Sequence, residues 1–333
     1  MNPVACRAIL GLWALVFAGT ASVVNAQPRD ETLPAGWPSK PVRMIVPFPA
    51  GGGTDILARL MAQKMSEVIG QPVVVDNRGG AGGTIGTDLA ARAAPDGLTV
   101  ILVSGSHVIN PSLYKSLPFD TVNDFAPISQ VATAPGILVV HPALPARSVR
   151  ELIALARSRP GQLTYASAGT GTPPHLAAEL FRTMARIEVV HIPYKGNGPA
   201  LADVIGGHVS FTFPTMPSAL PHVRTGKLRA LAVTGAQRSA AAAEIPTVAE
   251  AALPGYEASS WYGLLAPART DAAIVNRLHR DVTAILGSAD VKERFAAQGI
   301  EPAATTPQQF AAIIKTEIAK WSAVVKASGA RAD

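Results

Sequence analysis

One pattern constrains this chain more than any other: a strand, a glycine-rich loop and a helix start, in that order, occurring twice. Val42-Arg43-Met44-Ile45-Val46 is β-prone and runs through Pro47-Phe48-Pro49-Ala50 into Gly51-Gly52-Gly53. Thr54-Asp55 then reads as the cap of a helix carrying Ile56, Leu57, Leu60, Met61, Met65, Val68 and Ile69 at helical spacing, stopped by Gly70. In the second half a strand at 163–166 leads through Ser167-Ala168-Gly169-Thr170-Gly171-Thr172 into a helix ending near Ala185. Between and around these, the first half adds Val73-Val74-Val75, a helix to about Ala94 and a strand at 98–103. The second half adds helices at 148–158 and 199–205, strands at 188–192, 209–213 and 228–233, and a short proline-containing helix to Arg224. Strands and helices alternating at this spacing imply parallel βαβ units, hence two similar α/β halves. A last strand through Trp261-Tyr262-Gly263-Leu264-Leu265 precedes two or three helices, one bearing Phe310, Ile313, Ile314, Ile318 and Trp321. That tail is long enough to fold back on the first half, which makes the first lobe discontinuous in sequence.

Composition narrows the function. The 333 residues hold one large or two medium domains, and a charged fraction of 16% excludes a solvated polyelectrolyte. The net charge is +6, yet Lys and Arg are scattered in ones and twos. This reads as ordinary surface charge with some attraction for small anions, not as a nucleic-acid footprint. Arg7 is the only charge in the first 28 residues; an apolar run from Ala8 through Ala18 and the small residues around Val24-Asn25-Ala26 follow it. Residues 1–26 are therefore expected to be an export signal, too short for a membrane span of about twenty residues. The single cysteine, Cys6, precedes the apolar run, where a lipid-attachment cysteine would have to follow it. Its removal with the signal would leave an exported, soluble protein without a thiol for a disulfide, metal or nucleophile.

The two loops carry the chemistry. Where a strand passes into a helix, the first helical N–H groups lack internal acceptors and the helix dipole adds partial positive charge. Glycines bring that backbone close to a ligand, and Ser and Thr add donors, a combination suited to a carboxylate or other small anion. One such loop is better explained by tight helix–strand packing; one in each half favours a ligand held between the halves. Nucleotide motifs fail on spacing: neither loop is followed by the P-loop Lys, and Gly80-Ala81-Gly82-Gly83-Thr84-Ile85-Gly86 places its last glycine one residue late for a dinucleotide fingerprint. No serine has glycine at −2 and +2, and no two histidines fall within four residues, so no nucleophile elbow, metal pair or cofactor motif is expected. His175, just inside the helix after the second loop, reads as a ligand contact or as a bond to the loop backbone. Asp55 reads as a ligand contact or as the complement of its own helix dipole.

The strings VPFPAGGGTDILAR, QPVVVDNRGGAGGTIG, LTYASAGTGTPPHLAAELF, HIPYKGNGPAL and MPSALPHVRTGKLRALAV resemble the Bug family, which is similar to TctC, the periplasmic receptors of tripartite tricarboxylate transporters. The resemblance runs from about Trp37 to the C-terminus. It implies a two-lobed type II periplasmic-binding fold that closes on a small carboxylate, with a first lobe at 27–138 plus 259–333 and a second at 139–258. By motif position the first-lobe wall would be Phe48, Pro49, Gly52, Gly53, Thr54 and Asp55, with Ser104, Ser106 and His107 on the same side. Ser167, Gly169, Thr170, Gly171, Thr172 and His175 would grip the carboxylate, ordered waters would bridge it to the first lobe, and Tyr194, Lys195 and Gly196 would stand near the mouth. Relatives often read VDVMFDN where this chain has Val209-Ser210-Phe211-Thr212-Phe213-Pro214-Thr215. Pro214 thus replaces a frequent acidic residue, and a site without that carboxylate would bury an ammonium unpaired at high cost. The expected ligand is a mono- or dicarboxylate, aromatic acids included, and not an amino acid, with apolar room near Phe48, Phe213 and Pro214. The resemblance implies a monomeric binding protein without cofactor, delivering its ligand to integral membrane transporter subunits. The competing readings are a periplasmic subunit docking to a sensor domain, and an exported α/β hydrolase or isomerase using Asp55 or His175 as base.

Overall fold

The computed structural model describes residues 33, 34, 36–329, 331 and 332; the segment read as an export signal lies outside them. The first lobe opens with β1 (Val42–Val46), α1 (Gly53–Ile69), β2 (Val73–Asn77), α2 (Thr84–Ala91), β3 (Thr99–Ser104), α3 (Ser106–Leu113) and β4 (Phe125–Pro135). The second lobe follows as β5 (Ile137–Val140), α4 (Val149–Ser158), β6 (Thr164–Ser167), α5 (Pro173–Ala185), β7 (Val190–Pro193), α6 (Asn197–Ile205), β8 (Phe211–Thr212), α7 (Met216–Arg224), β9 (Arg229–Val233) and α8 (Val248–Ala251). The chain then returns through β10 (Ser259–Pro267), α9 (Ala272–Gly287), α10 (Ala289–Ala297), β11 (Glu301–Pro302) and α11 (Pro307–Ser328).

Two sheets result, ordered β11-β4-β10-β3-β1-β2 and β7-β6-β8-β5-β9. The first lobe is discontinuous: β10 inserts antiparallel between β3 and β4, and α11 carries Phe310, Ile314 and Trp321 into the first-lobe core. Strand alternation sorts the side chains cleanly. Met44, Val46, Val100, Leu102, Tyr262 and Leu264 face the helices α1 and α9, whereas Ile45, Ile101, Val103, Trp261 and Leu265 face α3 and α11. Gly263 is required where α11 packs, because a Cβ there would lie 2.0 Å from the Phe310 ring.

The parallel βαβ reading holds for β1 with β2 and β3 and for β6 with β7 and β8, but both sheets are mixed. β4 and β5 escape the sequence pattern. β4 contains Pro127 and the buried polar residues Ser129 and Gln130, which erase hydrophobic alternation. β5 is four consecutive buried apolar residues. Because β5 starts at Ile137, Ile137 and Leu138 pair with Val233 and Ala232 of the second sheet, not with the first lobe as the 27–138 boundary expected. α1 begins two residues earlier than a cap at Thr54 implies: Gly52 is its N-cap, so Thr54 and Asp55 lie inside the first turn.

Candidate functional site

The C-terminal ends of β1, β3 and β6 point toward the gap between the sheets, the usual place for a ligand in an open α/β sheet. Two chambers lie there, both walled in part by Phe48 and Pro49. The inner one has about 30 Å³ open to the centres of water-sized molecules, enough for roughly two waters at about 10–15 Å³ each. The outer one has about 270 Å³.

Four helices begin at the inner chamber. Gly52, Gly53 and Thr54 open α1, Thr172 with Pro173 and Pro174 opens α5, Gly196 and Asn197 open α6, and Thr215 opens α7. None of the four N-caps accepts a side-chain capping bond; Asp55 sets its carboxylate in the first turn of α1, whereas α5, α6 and α7 have no acidic residue there and stay unneutralised by their own side chains. Proline at the start of α5 and α7 gives up N–H groups that helix starts leave unpaired anyway. Among the described residues no side chain in this lining is charged. The result is a small, neutral-walled space in a converging positive dipole field, the environment that favours an anionic oxygen pair.

The outer chamber is built from Gly80 to Gly83 and Tyr114 on one side and from Ala168, Gly169, Thr170, Tyr194 and Lys195 on the other. Lys195 is exposed and is, among the described residues, the one lysine or arginine in that lining. Tyr194 donates its hydroxyl to Asp203, which fixes the ring.

Several expected site residues support the walls without forming them. Asp55 accepts from Gly51 N–H (2.9 Å), Arg59 (3.0 Å) and Asn77 (3.0 Å). Burial works against its charge, but these bonds outweigh burial and hold its carboxyl below the usual range. Asp55 therefore ties down the first glycine loop. In the second loop Gly171 N–H donates to His175 Nδ1 (3.2 Å), Thr172 Oγ1 to the Gly169 carbonyl (2.6 Å), and Gly169 N–H to Ser167 Oγ (3.2 Å). Ser167 Oγ lies 2.6 Å from His191 Nε2, and His191 stacks on His175 with ring centroids 4.3 Å apart. Burial depresses both imidazoles, that of His191 to about 4, so the pair stays neutral and acts as a brace. Of the two readings of His175, the geometry gives the bond to the loop backbone.

Four expectations are corrected. His107 is buried on the far side of β3, its Nε2–H donating to the Thr121 carbonyl (3.0 Å) and its ring edge-on to Phe125; it lines neither chamber. Ser106, one residue earlier on α3, is also buried away from both. Phe213 packs into the second-lobe core against Phe181 and Tyr256. Pro214 contributes its carbonyl to Ile137 N–H (2.9 Å) and does not wall the cleft, because the chain turns there into α7 and presents Thr215 instead. The residues that sequence reasoning missed are Asn197, Thr215, Ser260 and Tyr262, all on the inner chamber. Thr215 before Met216-Pro217 is a legible helix start; the others arrive through packing alone. Among the described residues no group of three or more His, Cys, Asp or Glu could hold a metal, and no helix is long and apolar enough to cross a membrane.

Comparison with known proteins identifies relatives of the whole chain. The family model described as "Tripartite tricarboxylate transporter family receptor" matches residues 57–330. Protein BugT of Bordetella pertussis is 41% identical over 333 residues, covering 99% of each chain. The structure of Rpa4515 of R. palustris with adipate superposes with a TM-score of 0.86 at 40% identity, covering 88% of this chain and 98% of that one. MatC (Rpa3494) of Rhodopseudomonas palustris with bound malate gives a TM-score of 0.81 at 31% identity, covering 87% of this chain and 100% of that one.

Proposed function

Because the chain belongs to the tripartite tricarboxylate transporter receptor family, that of the Bug and TctC proteins, we propose that it is a periplasmic solute-binding protein that captures a small dicarboxylate between its lobes. The observation that carries this reading is the convergence of four uncapped helix starts on an inner chamber without a charged wall. One carboxylate sits there, and the second lies in the outer chamber between the loops Gly80 to Gly83 and Ala168 to Thr170, near Lys195. Phe48 and Pro49 border both chambers and contact the chain between the two ends. Gly52, Gly53, Thr54, Ser104, Gly169, Thr170 and Thr172 touch the ligand or its waters, whereas Asp55, Ser167, Gly171 and His175 hold the loops in shape. The exclusion of amino acids rests on the lining: among the described residues no carboxylate faces either chamber to pair with an ammonium. The lobes divide at Gly136 and near Ala258, the two places where the chain crosses between the sheets.

The protein acts by binding and not by turnover, as an exported monomer whose closed form is recognised by the membrane subunits of a transporter. The family description favours that partner over a sensor domain. The test is thermal unfolding of the purified protein with adipate, malate, citrate, benzoate, glutamate and aspartate. A dicarboxylate at a hundred times its Kd is expected to add about 2.7 kcal/mol of stability, with no response to the amino acids. Stabilisation by glutamate or aspartate alone removes the reading.

A further inference from the structure

Two buried hydroxyls at the inner chamber belong to neither glycine loop. Ser260 and Tyr262 stand two residues apart on β10 and so on one face of the strand. Tyr262 pairs across the sheet with Ser104 at the end of β3, and all three line the chamber. Ser260 is 7% and Tyr262 1% exposed, yet neither hydroxyl finds a well-formed hydrogen bond within the protein, Thr215 being the polar side chain beside Tyr262. The other fully buried tyrosines are treated differently. Tyr165 donates to Glu179 (2.6 Å) and Tyr256 to the Ala177 carbonyl (2.9 Å). A buried phenol whose proton has no acceptor in good geometry is costly, and phenylalanine would fill the same space in the core with Leu264 and Val46 at no such cost. Burial also pushes the Tyr262 phenol well above its usual range, so it keeps its proton and remains a donor.

We infer that the Tyr262 and Ser260 hydroxyls are ligand-binding donors that read the oxygens of the carboxylate held in the inner chamber. This rests on the dicarboxylate reading above and adds its anchoring residues on the first lobe. The helix starts supply the field; the two hydroxyls supply directed bonds from the strand behind it. Carboxylate oxygens are pure acceptors, so they satisfy both donors at once, whereas a methyl or ammonium terminus leaves both unmatched.

The experiment compares wild type, Tyr262→Phe and Ser260→Ala by titration calorimetry with adipate and with malate, and by melting without ligand. Each variant is expected to bind the better of the two acids about ten-fold or more weakly, as for loss of a hydrogen bond to a charged group. The ligand-free melting temperature of Tyr262→Phe is expected to stay level or rise, which a structural hydroxyl would not allow. A variant pair that retains wild-type affinity overturns this inference alone, as does a Tyr262→Phe protein that melts lower and binds normally. A wild-type protein that binds neither acid nor any other carboxylate of the panel overturns the parent reading and this one with it.

Discussion

At the scale of single residues, the molecule keeps several ionisable groups neutral by burying them. His107 has an ordinary pKa of 6.5 and is held at about 4, with burial the dominant cause and the bond to the Thr121 carbonyl opposing it. Its unfolded form takes up a proton below pH 6.5 that the folded form refuses until about pH 4. The stability it leaves intact above pH 6.5 is thus lost as the pH falls toward 4, a total of about 3 kcal/mol at about 1.4 kcal/mol per pKa unit. His107→Gln keeps a donor for Thr121 and cannot titrate. Its melting temperature should fall less steeply than that of wild type between pH 6.5 and 4, and parallel curves would refute the assignment. His175 and His191, also depressed by burial, retain their share of the slope in the variant. None of this was visible in the sequence, where His107 next to Ser106 looked like a cleft residue. Which way a side chain on α3 points depends on Phe125 and Thr121, which a nearby turn and strand bring in.

At the scale of elements, closure brings helix starts together. A Cβ on Gly53 of α1 would lie 2.3 Å from Thr215 Oγ1, at the start of α7 in the opposite lobe, and 2.9 Å from the Tyr262 hydroxyl. Gly53 is helical, where alanine is intrinsically no worse than glycine. Gly53→Ala should therefore fold but bind dicarboxylate about ten-fold or more weakly, because the methyl crowds Thr215 across the cleft and the buried Tyr262 hydroxyl in its own lobe. Unchanged affinity by calorimetry would show that the lobes do not need this approach. The loops that contribute Gly53 and Thr172 were legible because strand, glycine run and helix start are adjacent in sequence. β4 was not legible, because Pro127, Ser129 and Gln130 interrupt its apolar pattern, and β10's insertion between β3 and β4 is a pairing of distant segments. Ser260 and Tyr262 stayed hidden for the same reason: no local motif marks a hydroxyl that lines a chamber only because two distant strands flank it. Phe213 misled in the opposite direction, since a phenylalanine beside a variable position looks like a pocket wall until Phe181, Phe211 and Tyr256 are seen to enclose it.

At the scale of the whole molecule, the lobes are already in contact: Leu176 of α5 packs in one cluster with Ile109 and Leu113 of α3, and Arg224 donates to the Ala297 carbonyl (3.2 Å). If ligand binds between the lobes as proposed, the two chain crossings are where they can turn to admit it. Thr234 joins those crossings. Its hydroxyl accepts from Gly136 N–H (2.7 Å) and donates to the Ala258 carbonyl (2.7 Å), while its backbone N–H donates to the Gly136 carbonyl and its own carbonyl accepts from Ala258 N–H, both at 2.9 Å. The side chain is fully buried, so the clasp works in a low-dielectric setting where a lost partner is expensive. A ligand closes the protein only by the difference in its affinity for the closed and open forms. A firm clasp therefore biases the ligand-free balance toward closure and raises apparent affinity. Thr234→Val keeps the shape and removes the hydroxyl. It should cost about 1–3 kcal/mol of stability, enlarge the radius of gyration of the ligand-free protein in small-angle scattering, and leave the dicarboxylate-bound radius at the wild-type value. An unchanged ligand-free radius together with reduced stability would make Thr234 a structural tie within the second lobe, and the turning point would then lie elsewhere along the crossings.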